Sequence, residues 1–241
     1  MTGREFMNIA HRGASAYAPE NTFAAFDKAL TLGASHVEFD LHFSSDGHVV
    51  IIHDETLDRT TNGTGAVAET TLAELQSLDA GAWFSPEFAG ERVPTFGAML
   101  ERYKGRFHFH VEIKSDAVGL SQRAADLVRG YGVADSATIT SFNLSSIEEV
   151  TAYAPELPAG LLVVEVTDST VEEAQRLGLK LLCPHSAFLE TDLVDRLHGD
   201  GFEVRAWGAS DETLMRRAVD SGVEGLTVNF PDTLAEYLAS R

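Results

Sequence analysis

In the stretch HVEFDLH (36–42), Glu38 and Asp40 stand at alternate positions, and in FHFHVEIK (107–114) so do His108, His110, Glu112 and Lys114. Between them run Val37, Phe39 and Leu41 in the first stretch and Phe107, Phe109, Val111 and Ile113 in the second. Such alternation belongs to strands with one apolar and one polar face. Neighbouring carboxylates on one inward face repel unless a cation sits between them. With Glu112 beside Glu38 and Asp40, three carboxylates and open water positions suit a hard cation, Mg²⁺ or Ca²⁺. Zinc would favour His or Cys. The competing reading is that these acids pair with Lys114, Arg12 or Arg205.

The chain holds nine histidines. His11, in IAHRGASAYAPENT (9–22), and His53 each end a strand-like run beside the expected metal position. An ordinary pKa of about 6.5 suits proton transfer near neutrality. One such group as base and the other as acid is the division of labour that phosphodiester cleavage needs. The attacking oxygen must lose a proton and the departing alkoxide must gain one. Arg12 offers a planar fork for phosphate oxygens, or an ion pair with Glu20. Lys114 touches phosphate or balances the carboxylates, and Gly13 permits a turn at the strand end. His36, His48 and His198 read as loop or surface groups. His108 and His110 read as hydrogen-bonded groups of an interior, and His42 and His185 as strand-end candidates for contacting substrate.

These groups need a scaffold that gathers strand ends. Strand-like segments fall at 7–10, 36–41, 107–113, 137–142, 159–164, 180–183, 203–207 and 225–230. Helical patterns fall at 22–32, 95–103, 120–130, 145–153, 170–177, 191–197, 211–220 and 232–238. Gly33, Gly178 and Gly222 mark helix ends, and Ser210 or Asp211 a helix start. Eight strands alternating with eight helices over 241 residues predict a closed eight-stranded (β/α)8 TIM barrel spanning 1–241, with its site at the C-terminal strand ends. The rhythm breaks once. Asp46-Gly47 is a hairpin signal followed by a short strand at 48–52. Residues 55–94 then read as an inserted subdomain over the barrel mouth, with a short helix near 72–78.

The formal net charge of −19 disfavours nucleic acid and anionic membranes as partners. The sequence has neither an apolar run long enough to span a bilayer nor a signal-peptide pattern at its start, so no stable membrane insertion and a cytoplasmic location are expected. The single cysteine, Cys183, reads as a small buried residue. The sequence contains no G-x-S-x-G, no G-x-G-x-x-G and no P-loop; TNGTG (61–65) lacks the Lys-Ser/Thr. Nothing in it fixes an oligomeric state.

The ordered set AHRGASAYAPENT (10–22), VEFDLHFSSDGHVVIIHDETLDRTTNGTG (37–65), HVEIK (110–114), SFN (141–143) and the late Trp207 resembles the glycerophosphodiester phosphodiesterase family across essentially the whole chain. The resemblance implies the same barrel with an insertion after strand two, a divalent cation, and hydrolysis of glycerophosphodiesters to sn-glycerol 3-phosphate and an alcohol such as choline or ethanolamine. By position it implies metal ligands at Glu38, Asp40 and Glu112. It puts the acid and base at His11 and His53, phosphate binding at Arg12 and Lys114, and Trp207 at the cavity border. Glu20 matches the family's Glu-Asn-Thr glutamate, at the metal site or supporting it. The insertion would wall the glycerol side of the pocket. Two departures stand out. WGASD (207–211) replaces a common Trp-Thr-Val-Asn, and Asn229 stands where aspartate is frequent; neither is expected to touch the metal or the histidines. A lysophospholipase D acting on lysolipids is the rival chemistry, and a non-catalytic phosphodiester-binding barrel the rival from another class.

Overall fold

The computed structural model describes residues 6–241. The chain runs β1 (Met7–His11), α1 (Phe23–Thr31), β2 (His36–Phe43), β3 (Val49–Ile51), α2 (Leu72–Ser77), α3 (Phe96–Tyr103), β4 (His108–Ile113) and α4 (Leu120–Gly130). It continues β5 (Ala137–Ser141), α5 (Leu144–Tyr153), β6 (Ala159–Val163), α6 (Asp168–Arg176), β7 (Leu181–Pro184), α7 (Thr191–Gly199), β8 (Glu203–Ala209), α8 (Glu212–Asp220), β9 (Gly225–Val228) and α9 (Pro231–Ala239). Eight parallel strands close a ring in the order β1-β9-β8-β7-β6-β5-β4-β2, with β2 returning to β1. This is the TIM barrel the alternation predicts. The hairpin strand β3 pairs antiparallel with β2 outside the ring.

Boundaries move by one or two residues. β1 reaches His11, so that histidine is the last residue of the strand. α6 begins at Asp168 because Thr167, not a residue nearer Thr170, caps it: its hydroxyl accepts from the Thr170 N–H. Asp211 caps α8, accepting from the Leu214 N–H.

Register sets the interior. His36, Glu38 and Asp40 of β2 pair with His108, His110 and Glu112 of β4, and His11 of β1 pairs with Glu38. All of these point inward, so the barrel holds stacked polar layers: histidines at the N-terminal end, carboxylates toward the C-terminal end. The intervening apolar residues face the helices. Phe39 is fully buried and packs against Phe26, Phe96 and Phe109 at ring distances of 6.1, 5.6 and 6.2 Å.

His36 departs from the expected surface role. It sits in the interior layer, stacked on His108 and hydrogen-bonded to His110, because as the first residue of β2 it shares the inward face of Glu38 and Asp40 and pairs with His108 of β4. His48 and His198 are exposed, as expected. Cys183 is buried, and its burial pushes the thiol pKa up, which suits a core residue and not a nucleophile.

Residues 55–94 carry α2, whose capping box joins Thr71 and Glu74, and two single 3-10 turns. A separate apolar cluster of Val50, Ile52, Leu57, Val67, Leu75, Ala80 and Val93 packs this segment onto β3.

Candidate active site

The turn after β1 is made by Arg12 and Gly13, both with positive φ (55° and 83°). At Gly13 a Cβ would lie 2.6 Å from the Ala25 carbonyl carbon, so the turn presses against α1 and only glycine fits. The segment is pinned further by Asn21 N–H to the Arg12 carbonyl and Ala16 N–H to the Asn229 carbonyl. These bonds hold His11 and Arg12 over the barrel mouth.

Glu38, Asp40 and Glu112 offer oxygens that all lie within 4.8 Å of one another. All three are buried. Glu38 Oε1, Asp40 Oδ1 and Glu112 Oε1 have no hydrogen-bond partner. Buried carboxylate oxygens left without donors are costly unless a cation meets them, so the residues present fit a divalent ion. The rival pairing holds in part. Arg12 Nε lies 3.2 Å from Asp40 and Lys114 Nζ 2.9 Å from Glu112 Oε1, both close enough for ion pairs but outside hydrogen-bond alignment. Among the described residues no lysine or arginine side chain pairs with Glu38. Burial, Asp40 and Glu112 push its pKa well above the usual carboxylate range. Burial and Asp40 also raise Glu112, to about 7. Asp40 goes the other way, held low by Arg12 and His53 against its own burial.

A stability prediction follows from those signs. A carboxyl whose folded-state pKa is raised stabilises the fold while protonated and loses that contribution as pH rises through the folded pKa. For Glu112 the window runs from about 4.5 up to about 7. Metal-free protein is therefore expected to lose thermal stability across this window, and a bound divalent ion to restore it. Differential scanning calorimetry should show a Tm gain that is small at pH 5 and grows by pH 8. At metal concentrations about 100- to 1,000-fold above Kd the gain should be roughly 5–15 °C. A gain independent of pH would contradict the reading.

The two strand-end histidines are each held at Nδ1. His11 Nδ1 lies 2.6 Å from Asn229 Oδ1, and His53 Nδ1 lies 2.6 Å from Asp54 Oδ1. Both amide and carboxylate oxygens accept, so Nδ1 carries the proton in each ring. In the neutral rings Nε2 then keeps its lone pair; His11 Nε2 is 3.9 Å from Glu38. Burial and Arg12 lower the His11 pKa to about 4. Burial lowers His53 as well, but Asp40 and the Asp54 bond oppose the shift.

The contact between Asn229 and His11 corrects the expectation that this departure stays clear of the histidines. The residues are 218 positions apart and meet because β1 and β9 are neighbours in the ring.

Glu20 is not in the carboxylate group. Its oxygens accept from Arg12 Nη1 at 2.9 Å and from both terminal nitrogens of Arg59 at 2.8 Å. Arg59, from the inserted segment, also grips Asp54 through Nε at 2.7 Å and Nη2 at 2.9 Å. Thus Arg59 ties the His53 partner to the Arg12 partner, a function the sequence did not suggest. Asn21 is a second residue missed; its Nδ2 donates to Asp40 Oδ2 at 2.8 Å. The Glu-Asn-Thr motif contained it, but nothing in the spacing said that its φ of 58° would turn the amide inward.

Trp207 stands half-buried on β8 with Nε1 donating to the Val163 carbonyl. Phe142 and His185 meet its ring edge-to-face at 4.9 and 4.5 Å. Gly208, with φ of 77°, makes this possible: a Cβ there would lie 2.3 Å from His185 Nε2. So the WGASD departure makes room for His185. His42, the other strand-end histidine, is buried and donates through Nε2 to the His53 carbonyl, a structural use. Ser141 likewise serves the scaffold, donating to the Ile113 carbonyl. Lys114 Nζ lies 5.7 Å from the Phe142 ring centre, so one wall of the mouth is aromatic and cationic together.

Comparison with known proteins agrees with this geometry. Residues 11–233 match the family model described as Glycerophosphoryl diester phosphodiesterase family. A glycerophosphodiester phosphodiesterase of Caldanaerobacter subterraneus subsp. tengcongensis is 38% identical over 230 residues, covering 94% of this chain and 95% of that protein. Among solved structures, an Oleispira antarctica phosphodiesterase in complex with the product sn-glycerol-3-phosphate superposes with a TM-score of 0.90. It is 30% identical, with 96% of each chain covered. A glycerophosphodiester phosphodiesterase from Agrobacterium tumefaciens gives 0.84 at 32% identity, covering 95% of this chain and 98% of that one. Among the described residues, no helix is long and apolar enough to cross a membrane.

Proposed function

The chain belongs to the glycerophosphoryl diester phosphodiesterase family and is an enzyme of that activity; on that premise we propose how its site works and on what. The substrates are small glycerophosphodiesters such as glycerophosphocholine and glycerophosphoethanolamine, cleaved to sn-glycerol 3-phosphate and the free alcohol. One observation carries the reading: two imidazoles, each fixed at Nδ1, stand over a buried carboxylate triad with partnerless oxygens.

Glu38, Asp40 and Glu112 would hold one divalent ion, Mg²⁺ or Ca²⁺, since oxygen-only ligands suit either. When bound, the ion acts as a Lewis acid on the phosphoryl oxygens. Arg12 and Lys114 bind the same phosphate. Arg12 Nη1 donates to Glu20 and Nε faces Asp40 at 3.2 Å, which orients its fork for the phosphate. Glu20 supports the site through Arg12 and Arg59. Residues 55–94 wall the glycerol side, and Trp207 with Phe142 borders the alcohol side.

The two histidines differ in their partners, and from that difference we infer different roles. His11 leans on a neutral amide and stays unprotonated at neutral pH, so it is the base that takes the proton of the attacking oxygen. Burial lowers the His53 pKa, but His53 leans on a carboxylate locked by Arg59, which opposes that shift where His11 has only an amide. It is the acid that delivers a proton to the departing alkoxide as the P–O bond breaks. Asp54→Asn removes the negative charge behind His53, so the His53 pKa should fall. Activity needing the protonated form would then be lost at lower pH. The alkaline limb of kcat against pH is expected to move about one unit toward acid. An unmoved limb would contradict the assignment.

The substrate class is tested by comparing turnover of glycerophosphocholine with that of lysophosphatidylcholine. We expect the soluble diester to be preferred and glycerol 3-phosphate to appear. A lysolipid would need an apolar landing surface, and Phe142, Trp207, His185 and Phe188 do form one partly exposed aromatic cluster, so the relative rates on the two substrates decide. Faster turnover of the lysolipid would overturn the assignment in favour of a lysophospholipase D.

A further inference from the structure

At the end of the barrel opposite the carboxylates lies a cavity of about 770 Å³. Its inner end is formed by His36, His108, His110 and Thr138. Its walls are apolar, including Leu157, Pro158 and Leu179, and its rim carries Lys180, Glu156, Glu203 and Glu224. The volume falls within the range of small-molecule sites. None of the groups at its inner end belongs to the hydrolytic site.

A chain of hydrogen bonds sets the polarity of this inner end. Arg205 is 1% exposed, and among the described residues no ion pair to a carboxylate accompanies it. Its Nη1 lies 2.8 Å from His110 Nδ1. A guanidinium can only donate, so His110 Nδ1 accepts and His110 carries its proton on Nε2. That Nε2 lies 3.0 Å from His36 Nδ1, which must therefore accept in turn. His36 is left with its proton on Nε2, on the side of the ring away from His110, and His36 lines the cavity. Among the described residues nothing accepts this proton. Each bond in the series points outward from a buried cation, and such series polarise their members. His108 stacks on His36 at 5.2 Å and is fixed by Thr138 Oγ1 at 2.9 Å, so the ring cannot easily swing away.

The cavity thus presents a polarised N–H donor at the bottom of an apolar well. The complementary ligand has an oxygen acceptor at one end and an apolar body. A phosphate dianion would want several donors. Here the donor fixed by the series is the single His36 N–H, the Thr138 hydroxyl is engaged with His108, and acidic side chains stand at the rim. Glu156 and Glu224 are engaged by Arg129 and His198. A single negative charge is the better match, with Lys180 the rim cation nearest in kind. We propose that this floor cavity is a second ligand site, taking a small carboxylate with an apolar tail whose carboxylate accepts from His36 Nε2–H.

The test reads binding and not turnover, so it stands apart from the hydrolytic assignment. Octanoate is titrated into the whole protein by calorimetry, with the His36 ring signal followed by ¹H–¹⁵N NMR. Saturable one-to-one binding is expected, with Kd on the order of a millimolar. His36→Phe keeps the ring stack but removes the donor, and should weaken binding about tenfold. Lys180→Glu changes only an exposed rim residue, so the fold is safe, and should weaken it about threefold. His53→Ala, at the other end of the barrel, should bind octanoate as the wild type does. Wild-type affinity in both floor variants, or no saturation in the wild type, would overturn the proposal. Inorganic phosphate displacing octanoate with equal affinity would overturn the carboxylate assignment.

Discussion

His53→Ala is expected to lower kcat for glycerophosphocholine by about 10²- to 10⁴-fold, the range removed with a positioned acid or base. The loss should depend on the leaving group. Choline departs as a strongly basic alkoxide and needs a proton. A p-nitrophenyl diester of glycerol phosphate departs as a weakly basic phenolate and does not. His53→Ala should therefore retain far more activity on the nitrophenyl ester than on the choline ester. His11→Ala, lacking the base, should be impaired on both. Equal losses on both esters for both variants would mean that the acid and base roles are not divided as Asp54 and Asn229 suggest.

Glu112→Gln is expected to separate stability from activity. It removes one of three carboxylates from the cation site, and with it several kcal/mol of transition-state stabilisation, a loss of about 10³-fold. In metal-free protein the same change relieves the repulsion that lifts the Glu112 carboxyl to about 7. At pH 8 the glutamine mimics the protonated form the fold prefers, so the metal-free Tm should rise by roughly 2–6 °C. The metal-induced Tm gain should shrink in the same variant. A variant both less active and less stable without metal would mean that Lys114, 2.9 Å away, compensates Glu112 fully and that no cation is required there.

The two predictions draw on features of unequal legibility. The triad was readable because strand alternation is local: Glu38, Asp40 and Glu112 share an inward face once the strands are placed, and register then brings Asp40 opposite Glu112. His11 and His53 were readable as strand-end groups for the same reason. Their partners were not equally so. Asp54 is the next residue, yet nothing in the sequence says that it bonds back to the ring. Asn229 meets His11 only through closure of the barrel, and Arg59 reaches Glu20 only because the inserted segment folds back over 39 residues. Side chains that converge from distant parts of a chain leave no periodic signal. The same limit hid the role of His36. As the first residue of β2 it resembles a loop residue, and only its pairing with His108 across β4 places it inside.

Spacing leaves Glu20 open between ligand and support. Both of its oxygens accept from guanidinium groups, which hold its carboxyl below the usual range despite burial. On that ground we propose that it acts by orienting Arg12 and Arg59. Arg59 in turn is more than two-fifths exposed, so its ion pairs matter more for geometry than for folding energy.

If a cation on the triad and the two fixed histidines cleave a glycerophosphodiester together, hydrolysis requires the cation. ³¹P NMR can follow glycerophosphocholine incubated with protein stripped of metal by a chelator and then resupplied with Mg²⁺ or Ca²⁺. The diester signal should persist in the stripped sample and convert to the glycerol 3-phosphate monoester once a cation is restored. Conversion at full rate in the stripped protein, or none with either cation, would contradict it.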